Sequence, residues 1–324
     1  MVYKLLLRVV YSIQLALIAQ LSYANPSDTQ YKCLLVMSYH AGYAWNDGIE
    51  SGVIQTLGDK CQIKKFYMDT KRNTDKIFAE KMALKAKAVI ESYQPDIVIA
   101  SDDNASRYLV KPYFKNSEMP FVFCGLNWTG KEYGYPYKNA TGMVEVAPIL
   151  PLLDIIKNTV HGANNGVYLS SDVITEHKDY EHYQQEYSKH GIKLKPLFVS
   201  TMAQWKKAYI NAQSADFIII NNYAGISDWN SDQAIIHIQK YSRKFTVSNY
   251  KWMMPYSMFG LTKNAKEQGR WSALVALSVL DGVDISTIPI TINKEWNMYV
   301  NVDLLKITNV RINEHILRRA SRQW

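Results

Sequence analysis

The chain has 324 residues, enough for two domains of ordinary size, and 23 of these residues are tyrosine. Its formal net charge is +8, and the basic residues occur in short pairs spread along the sequence, such as Lys64-Lys65 and Arg318-Arg319. This distribution is typical of solvated protein surfaces and argues against a nucleic-acid-binding protein.

Residues 1–24 are predicted to form a secretory signal peptide. Lys4 and Arg8 precede the apolar segment 9–18, and Ser22 and Ala24 supply small residues at the expected cleavage positions. Without these two cations the formal charge falls from +8 to +6. An uncleaved membrane anchor is the alternative, but two glutamines interrupt a segment that is short for a membrane span. We therefore expect an exported, periplasmic protein that begins at Asn25 and, lacking a cysteine there, is not a lipoprotein.

The segment 33–49 is predicted to form a strand, a loop and a helix. Its apolar run, Cys33–Met37, has the length of a strand buried on both faces. Asn46 or Asp47 is expected to cap the helix that follows. Ligands bind at the carboxyl ends of strands in open parallel sheets, so Ser38–Trp45 is interpreted as one wall of a ligand cleft. An ordinary surface loop fits this stretch equally well.

Strands and helices then alternate along the chain. Strands are predicted at 61–68, 96–100 and 120–124, and helices at 75–93 and from 105 onward. This order favours a parallel α/β sheet with right-handed connections. The extended segment 141–146 is expected to cross into a second domain.

The same alternation restarts after this crossover. Helices are predicted at 149–160, 175–190, 202–213, 231–244 and 266–280, and strands at 166–169, 193–199, 216–220 and 245–248. The predicted fold class is therefore α/β, with two doubly wound parallel-sheet lobes joined by extended crossovers. Lobe 1 is expected to contain 25–143 and about 257–288, and lobe 2 to contain 144–256 and about 289–324.

Two such lobes behind a signal peptide resemble a type I periplasmic binding protein. The C-terminal part sharpens the resemblance: a helix ends in Leu280-x-Gly282, the segment Ile288–Ile290 contains a proline, and Asn301 lies in a strand before a last helix. This order is similar to that of ABC-transporter substrate-binding proteins, which include tryptophan- and tyrosine-type binders. The resemblance implies a monomer that closes on a small solute by hinge bending and delivers it to a membrane permease.

The residues 40–47, HAGYAWND, depart from that family's usual small-residue loop. They resemble instead the extracytoplasmic sensor proteins found with histidine kinases and cyclases. The alternative function is therefore a periplasmic ligand sensor that signals to a membrane histidine kinase or diguanylate cyclase.

The candidate ligand-binding residues lie at the predicted strand ends. Aromatic rings can cover a flat ligand face, and serine and asparagine can orient its polar atoms. Asp102 or Asp103 can pair with a ligand amine, although each is equally suited to cap a helix. We therefore expect an aromatic or amine-bearing metabolite as ligand. The full set is Ser38, Tyr39, Tyr43, Trp45, Ser101, Asp102, Asp103, Asn127, Ser170, Ser171, Asn221, Asn222 and Tyr223.

The sequence contains three cysteines. Cys33 and Cys61 begin neighbouring predicted strands, and parallel strands lie about 4.8 Å apart, close to the reach of a disulfide. An exported protein can form such a bond, so these two are expected to pair and Cys124 to stay single. Three small buried hydrophobic residues are the alternative.

No sequence pattern indicates catalysis. The chain lacks a GxSxG, a Walker or a GxGxxG motif, and its cysteines and histidines lack the spacing of metal ligands. His177, His182 and His190 fall on a polar helix and are predicted to lie at the surface. We therefore predict no enzyme, cofactor or metal, and an enzyme built on the same two lobes stays the weaker alternative.

Overall fold

The computed structural model describes residues 30–73, 75–226 and 228–322, so the predicted signal peptide lies outside the described residues. The strands in chain order are β1 (Tyr31–Met37), β2 (Cys61–Tyr67), β3 (Ile97–Ser101), β4 (Phe121–Asn127), β5 (Ala140–Glu145), β6 (Asn165–Ser171), β7 (Lys193–Val199), β8 (Phe217–Ile220), β9 (Phe245–Ser248), β10 (Phe259–Lys263), β11 (Thr291–Ile292), β12 (Trp296–Val300) and β13 (Ser321–Arg322).

The main helices alternate with these strands. They are α1 (Ala44–Leu57), α2 (Lys76–Tyr93), α3 (Asp102–Asn104, continued by the π-helix Ala105–Phe114), α4 (Ile149–Thr159), α5 (Ile174–Lys189), α6 (Met202–Ala212), α7 (Ser231–Tyr241), α8 (Ala265–Leu280), α9 (Val302–Lys306) and α10 (Glu314–Arg319). A 3₁₀ helix, Lys251–Tyr256, lies between β9 and β10.

The strands form two sheets. The first has the order β11-β5-β4-β3-β1-β2, and all of its neighbouring strands are parallel. The second has the order β13-β12-β10-β9-β8-β6-β7 and is parallel except for the antiparallel pair β10 and β12. Helices flank both sheets, so the predicted two-lobed α/β fold is confirmed.

The sheets define the two lobes. The first lobe contains the first sheet with α1–α3 and α8, and the second lobe contains the second sheet with α4–α7, α9 and α10. The chain passes between the lobes after β5, after β10 and after β11. Two short strands depart from the expected boundaries: β10 belongs to the second sheet because it pairs with β9 and β12, and β11 belongs to the first because it pairs with β5.

Helix α8 returns to the first lobe and packs closely on α1. A Cβ atom added to Gly269 would lie 1.9 Å from the Ile49 carbonyl oxygen, and one added to Gly52 would lie 2.4 Å from the Lys266 carbonyl oxygen. The two glycines therefore let the helix backbones touch. Ile49 and Val53 are fully buried beside Ala273 in the core on this side of the sheet.

Helix α1 begins earlier than predicted. Its N-cap residue is Tyr43, whose side chain makes no capping bond, so the prediction of Asn46 or Asp47 as the cap is wrong. Asp47 lies inside the first turn, and its Oδ1 accepts a hydrogen bond from the Gly42 N–H at 2.9 Å. The acid thus holds the preceding loop from within the helix, which is a role that local spacing alone does not distinguish from capping.

The structure contains a disulfide between β1 and β2. The Sγ atoms of Cys33 and Cys61 are 2.10 Å apart, and their Cα atoms are 5.7 Å apart. The strand register places Cys33 opposite Ile63, so the bridge runs diagonally between the strands. Cys124 is free and buried in β4.

Candidate functional site

The carboxyl ends of β1, β2 and β3 meet at one edge of the first sheet. Ser38 is buried there, and its hydroxyl donates to the Ser101 carbonyl oxygen at 2.6 Å and accepts from the Ala105 N–H at 2.8 Å. Thr70, beyond β2, donates its hydroxyl to the Ser38 carbonyl oxygen at 2.6 Å. The Ser38 hydroxyl is thus engaged in bonds that tie the strand ends to one another.

Asp102 has an unusual backbone conformation at the end of β3. Its φ is +68°, in the left-handed region that residues other than glycine rarely adopt, and it is only 2% exposed. Its Oδ1 accepts from the indole N–H of Trp45 at 3.0 Å, and its Oδ2 accepts from the Ser101 hydroxyl at 2.7 Å. Burial raises the pKa of Asp102 well above its ordinary range and so favours its neutral form, which a nearby cation would oppose.

Gly125 leaves room for the Asp102 carboxyl. Its φ is +72°, and a Cβ atom added here would lie 2.9 Å from Asp102 Oδ1 and 3.5 Å from Trp45 Nε1. Its N–H donates to Gln268 Oε1 at 3.0 Å, which fixes the loop against α8. Glycine therefore meets both the left-handed backbone and the close approach of two side chains.

Asp103 is held by neutral donors. Its Oδ1 accepts from the Tyr133 hydroxyl at 2.7 Å, and its Oδ2 accepts from the side-chain amide of Asn127 at 2.6 Å. Arg107 approaches this group through the Tyr133 hydroxyl, at 3.3 Å. Asp103 is half-buried and Asn127 is exposed at the end of β4, so both lie at the rim of the site.

Tyr39 and Tyr43 pack edge to face, with ring centroids 5.4 Å apart. The Lys71 ammonium lies 5.1 Å from the centre of the Tyr39 ring and 5.4 Å from that of Tyr43. Burial raises the pKa of Tyr39, and the charges of Asp102 and Asp103 raise it further. The Tyr39 hydroxyl is therefore close to the two predicted acids.

Four predicted residues lie at the ends of β6 and β8 in the second lobe. Ser170, Ser171 and Asn221 are buried, and Asn222 is half-buried. The Asn222 N–H donates to Ser170 Oγ at 3.0 Å, and the Ser171 N–H donates to the Asn222 carbonyl oxygen at 2.8 Å. The Asn221 amide donates to the Tyr168 hydroxyl at 2.7 Å. These contacts join the two strand ends.

Glu176 on α5 receives the hydrogen bonds of this network. It is fully buried, and its Oε2 accepts from the Tyr168 hydroxyl at 2.9 Å and from the Ser170 hydroxyl at 2.8 Å. Burial raises the pKa of Glu176, as expected for a carboxyl group whose partners are all neutral.

Two stacked aromatic pairs lie in the second lobe near the same strand ends. Tyr223 stacks on Trp229 with centroids 4.6 Å apart and an interplanar angle of 2°. Tyr250 stacks on Trp252 with centroids 4.3 Å apart, and Trp252 is 50% exposed. The second pair offers a flat apolar face to an incoming ligand.

Asp179 lies one turn beyond Glu176 on α5 and contacts the first lobe. Its Oδ1 accepts from the indole N–H of Trp128 at 3.1 Å, and its Oδ2 accepts from the Tyr250 hydroxyl at 3.2 Å. Burial raises the pKa of Asp179, while Lys263 acts in the opposite direction.

Lys263, at the end of β10, lies between the two walls. Its ammonium forms an ion pair with Glu145, at the end of β5, and lies 5.9 Å from the centre of the Trp45 ring. Burial lowers the pKa of Lys263, but the carboxylates of Glu145, Asp179 and Asp102 raise it by more. The ammonium group therefore stays charged in a region rich in carboxyl groups.

Sequence reasoning missed four charged residues of this region, namely Glu145, Glu176, Asp179 and Lys263. Two of them gave a usable signal: Glu176, Asp179 and Tyr183 recur at intervals of three and four on a predicted helix, which places them on one face. Glu145 and Lys263 end strands of different sheets, and their pairing depends on the arrangement of the lobes.

His177 and His182 lie on α5, and His190 follows its last residue. His177 and His190 are exposed as predicted, whereas His182 is half-buried against Trp128, so the prediction of a surface position is wrong for His182. Across the described parts of the chain, no group of three His, Cys, Asp or Glu side chains is placed to hold a metal ion.

The family model described as "ABC transporter substrate binding protein" matches residues 33–323. The chain belongs to this family. The resemblance inferred from the sequence is thus confirmed, and a solute-binding role follows for this substrate-binding protein. A comparison with curated protein sequences finds no match.

Solved structures share the fold of this substrate-binding protein. The open, ligand-free CD0873 from Clostridium difficile, a substrate binding protein with adhesive properties, has a TM-score of 0.71 at 14% identity. An ABC domain from Streptococcus pneumonia in complex with L-Trp has a TM-score of 0.57 at 15% identity, and a conserved domain protein from Vibrio cholerae has 0.58 at 16%. Each comparison covers 90% of this chain and 99% of the other. At these identities the likeness shows the fold, that of type I periplasmic binding proteins.

Among the helices in the described ranges, none has the length and apolar character needed to cross a membrane.

Proposed function

We propose that this substrate-binding protein works in the periplasm, captures a small amine-bearing ligand between its lobes and delivers it to an ABC importer. The observation that carries the proposal is the set of buried or half-buried carboxyl groups on both walls. Asp102 and Asp103 belong to the first lobe, and Glu176 and Asp179 to the second. Most of their partners are neutral, so a bound cation would stabilise the ionised form of these acids.

Lys263 supplies an internal example of the chemistry that such a cleft stabilises. Its ammonium group lies near an acid and over the face of an indole ring, and its pKa is raised. A ligand amine beside Asp102 or Asp179 would meet the same combination of carboxylate and aromatic surface. Tyr39, Trp45 and the stacked Tyr250 are the side chains that would cover the apolar part of the ligand.

An aromatic amine is the ligand class that these two features favour together. The related domain solved with L-Trp binds a molecule of this kind, an indole that carries an amino group. In our proposal the predicted residues Trp45, Asp102 and Asp103 contact the ligand from the first lobe. The missed residue Asp179 contacts it from the second.

The test is a thermal-shift screen of residues 25–324 with matched ligand pairs. L-tryptophan is compared with indole-3-propionate, and tyramine with 4-ethylphenol, because each second compound lacks the amine. A ligand at about 100 times its Kd stabilises the folded state by about 2.7 kcal/mol, which raises the Tm. We expect the Tm to rise with an amine and not with the compound of the same pair that lacks the amine. Equal rises within both pairs, or none with any amine, would contradict the proposal.

Two substitutions test where the amine binds. Asp179→Asn should weaken binding of the active amine because the carboxylate charge is lost, whereas Asp303→Asn changes an exposed acid, 67% accessible, and serves as the matched control. Calorimetric titration of both variants gives the Kd values. Equal affinities in the two variants would place the amine elsewhere.

A further inference from the structure

Trp128 has a strained backbone where β4 leaves the first sheet. Its φ is +61°, a conformation that is rare for a bulky residue and costs free energy unless surrounding contacts hold it. Its own N–H donates to the carbonyl oxygen of Glu145 at 2.9 Å. The strained residue is thus fixed to the start of the first crossover.

The Trp128 side chain reaches into the other lobe. Its indole ring stacks on His182 with centroids 3.9 Å apart and an interplanar angle of 18°, and its N–H donates to Asp179. The ring also packs against the core of the second lobe. This side-chain hydrogen bond joins the two lobes beside the first crossover.

The acceptor is positioned from its own lobe. The Tyr250 hydroxyl donates to the second oxygen of Asp179 at 3.2 Å, and Asp179 and His182 lie three residues apart on α5, on the same helix face. The hydrogen-bond acceptor and the stacking partner of Trp128 therefore lie side by side on one helix face. Because β4 belongs to the first lobe and α5 to the second, a rotation that moves α5 away from the end of β4 breaks both contacts.

We propose that Trp128 is an interlobe clasp, a positioning residue that holds the lobes closed and thereby slows release of the bound solute. The clasp consists of Trp128 on the first lobe and Asp179 with His182 on the second. Its effect on release rests on the proposed solute-binding function. Its effect on lobe closure does not, because closure can be measured without any ligand.

The closure experiment uses spin labels at two exposed lysines, one on each lobe. Lys85→Cys on α2 and Lys207→Cys on α6 carry the labels, and the buried Cys124 is shielded from them. Pulsed electron resonance then gives the distance distribution without ligand. We expect Trp128→Phe, which keeps a ring but loses the N–H donor, to lower the ratio of closed to open protein about tenfold.

Further variants separate the parts of the clasp. His182→Ala removes the stacking partner and keeps the Asp179 acceptor, so it should open the lobes less than Trp128→Ala, which removes both contacts. Trp271→Phe is the matched control because Trp271 packs against the core of the first lobe, and its distances should equal those of the wild type. Circular dichroism establishes whether each variant is folded. If Trp128→Ala is unfolded, the distances measured in Trp128→Phe test the proposal instead.

The distance distributions decide the outcome. A wild type as open as Trp128→Phe, or wild-type distances in both Trp128→Phe and His182→Ala, would overturn the clasp. If an amine ligand is found, stopped-flow dissociation should be about tenfold faster from Trp128→Phe than from Trp271→Phe. Failure of the ligand screen alone would overturn the proposed ligand class and leave the closure result standing.

Discussion

Lys263 and Glu145 form an ion pair at the point where two of the three crossovers leave their sheets. Glu145 is 6% exposed, and the Lys263 side chain is 21% exposed, so water solvates neither charge fully. Each group therefore depends on the other, and the pair links the end of β5 to the end of β10.

Removing one partner of this pair should be costly. Glu145→Ala leaves the Lys263 ammonium buried without its counter-charge, and we expect the free energy of unfolding to fall by about 3 kcal/mol. Glu145→Leu combined with Lys263→Met should restore most of the loss. Urea unfolding measures the free energy of unfolding of each variant. Glu80→Ala breaks an exposed pair with Lys76 and should change stability by less than about 0.5 kcal/mol.

Asp102→Asn should change the pH dependence of stability. Because burial raises the pKa of Asp102, this group contributes stability below its unfolded pKa, near 3.8, and that contribution is lost as the pH rises through the folded pKa. The asparagine tolerates the left-handed backbone and can still accept from Trp45. As the pH rises from 5 to 8, we expect the free energy of unfolding of the variant, measured with urea, to increase by about 1 kcal/mol or more relative to that of the wild type.

Asp216→Asn provides a control of opposite sign. The N–H groups of Asn164 and Asn165 donate to Asp216 and lower its pKa, so this acid stabilises the fold above pH 4 and loses that effect as the pH falls through its folded pKa. This variant should lose stability at neutral pH. Parallel pH curves for Asp102→Asn and the wild type would show that the Asp102 carboxyl does not titrate as its burial implies.

Gly125→Ala should disturb the Asp102 site specifically. The new methyl group would lie 2.9 Å from Asp102 Oδ1, whereas Gly42, with a similarly positive φ of +88°, has nothing within 4 Å. Both alanine variants bear the backbone cost of about 1–2 kcal/mol, and only Gly125→Ala adds the steric clash. A difference of about 1 kcal/mol or more between them in urea unfolding isolates that clash. Equal losses would mean that Asp102 moves away freely.

Reduction of the disulfide should destabilise the first lobe. The bond closes a loop of sequence separation 28 that contains α1, and the loss of such a cross-link typically lowers the free energy of unfolding by about 3 kcal/mol. Urea unfolding with and without dithiothreitol measures the effect. The double variant Cys33→Ala, Cys61→Ala should match the reduced protein and be insensitive to reductant, and stability unaffected by either change would contradict this prediction.

The alternation of strands and helices was predictable because each element carries its own apolar periodicity. The strands Lys193–Val199 and Phe245–Ser248 have the predicted bounds. The strand β10 was missed because it follows the 3₁₀ helix Lys251–Tyr256 closely and pairs with the distant β12. Sheet membership at the crossovers depends on such long-range pairing, which local patterns do not record.

The candidate site was less predictable for a similar reason. Strand ends locate the edge of a sheet, and Trp45, Asp102 and Asp103 do come together at this edge with their partners. The sequence cannot tell that the hydroxyl of Ser38 bonds within the protein, because its partners Ser101 and Ala105 lie on other elements. Predicting the role of Asp179 required knowledge of how the lobes face each other, since its hydrogen-bond donor Trp128 belongs to the first lobe.

The contact between Gly52 and the backbone of α8 bears on how the chain folds. Ile49 and Val53 of α1 are covered by a helix that follows strands β6–β10 of the other lobe in sequence. The first lobe therefore cannot complete its core until α8 has been synthesised. Until then the apolar face of α1 stays exposed. Since the second lobe likewise needs β12 from beyond α8, neither lobe is a contiguous folding unit, and a helper that shields apolar surface before folding would act on both lobes at once.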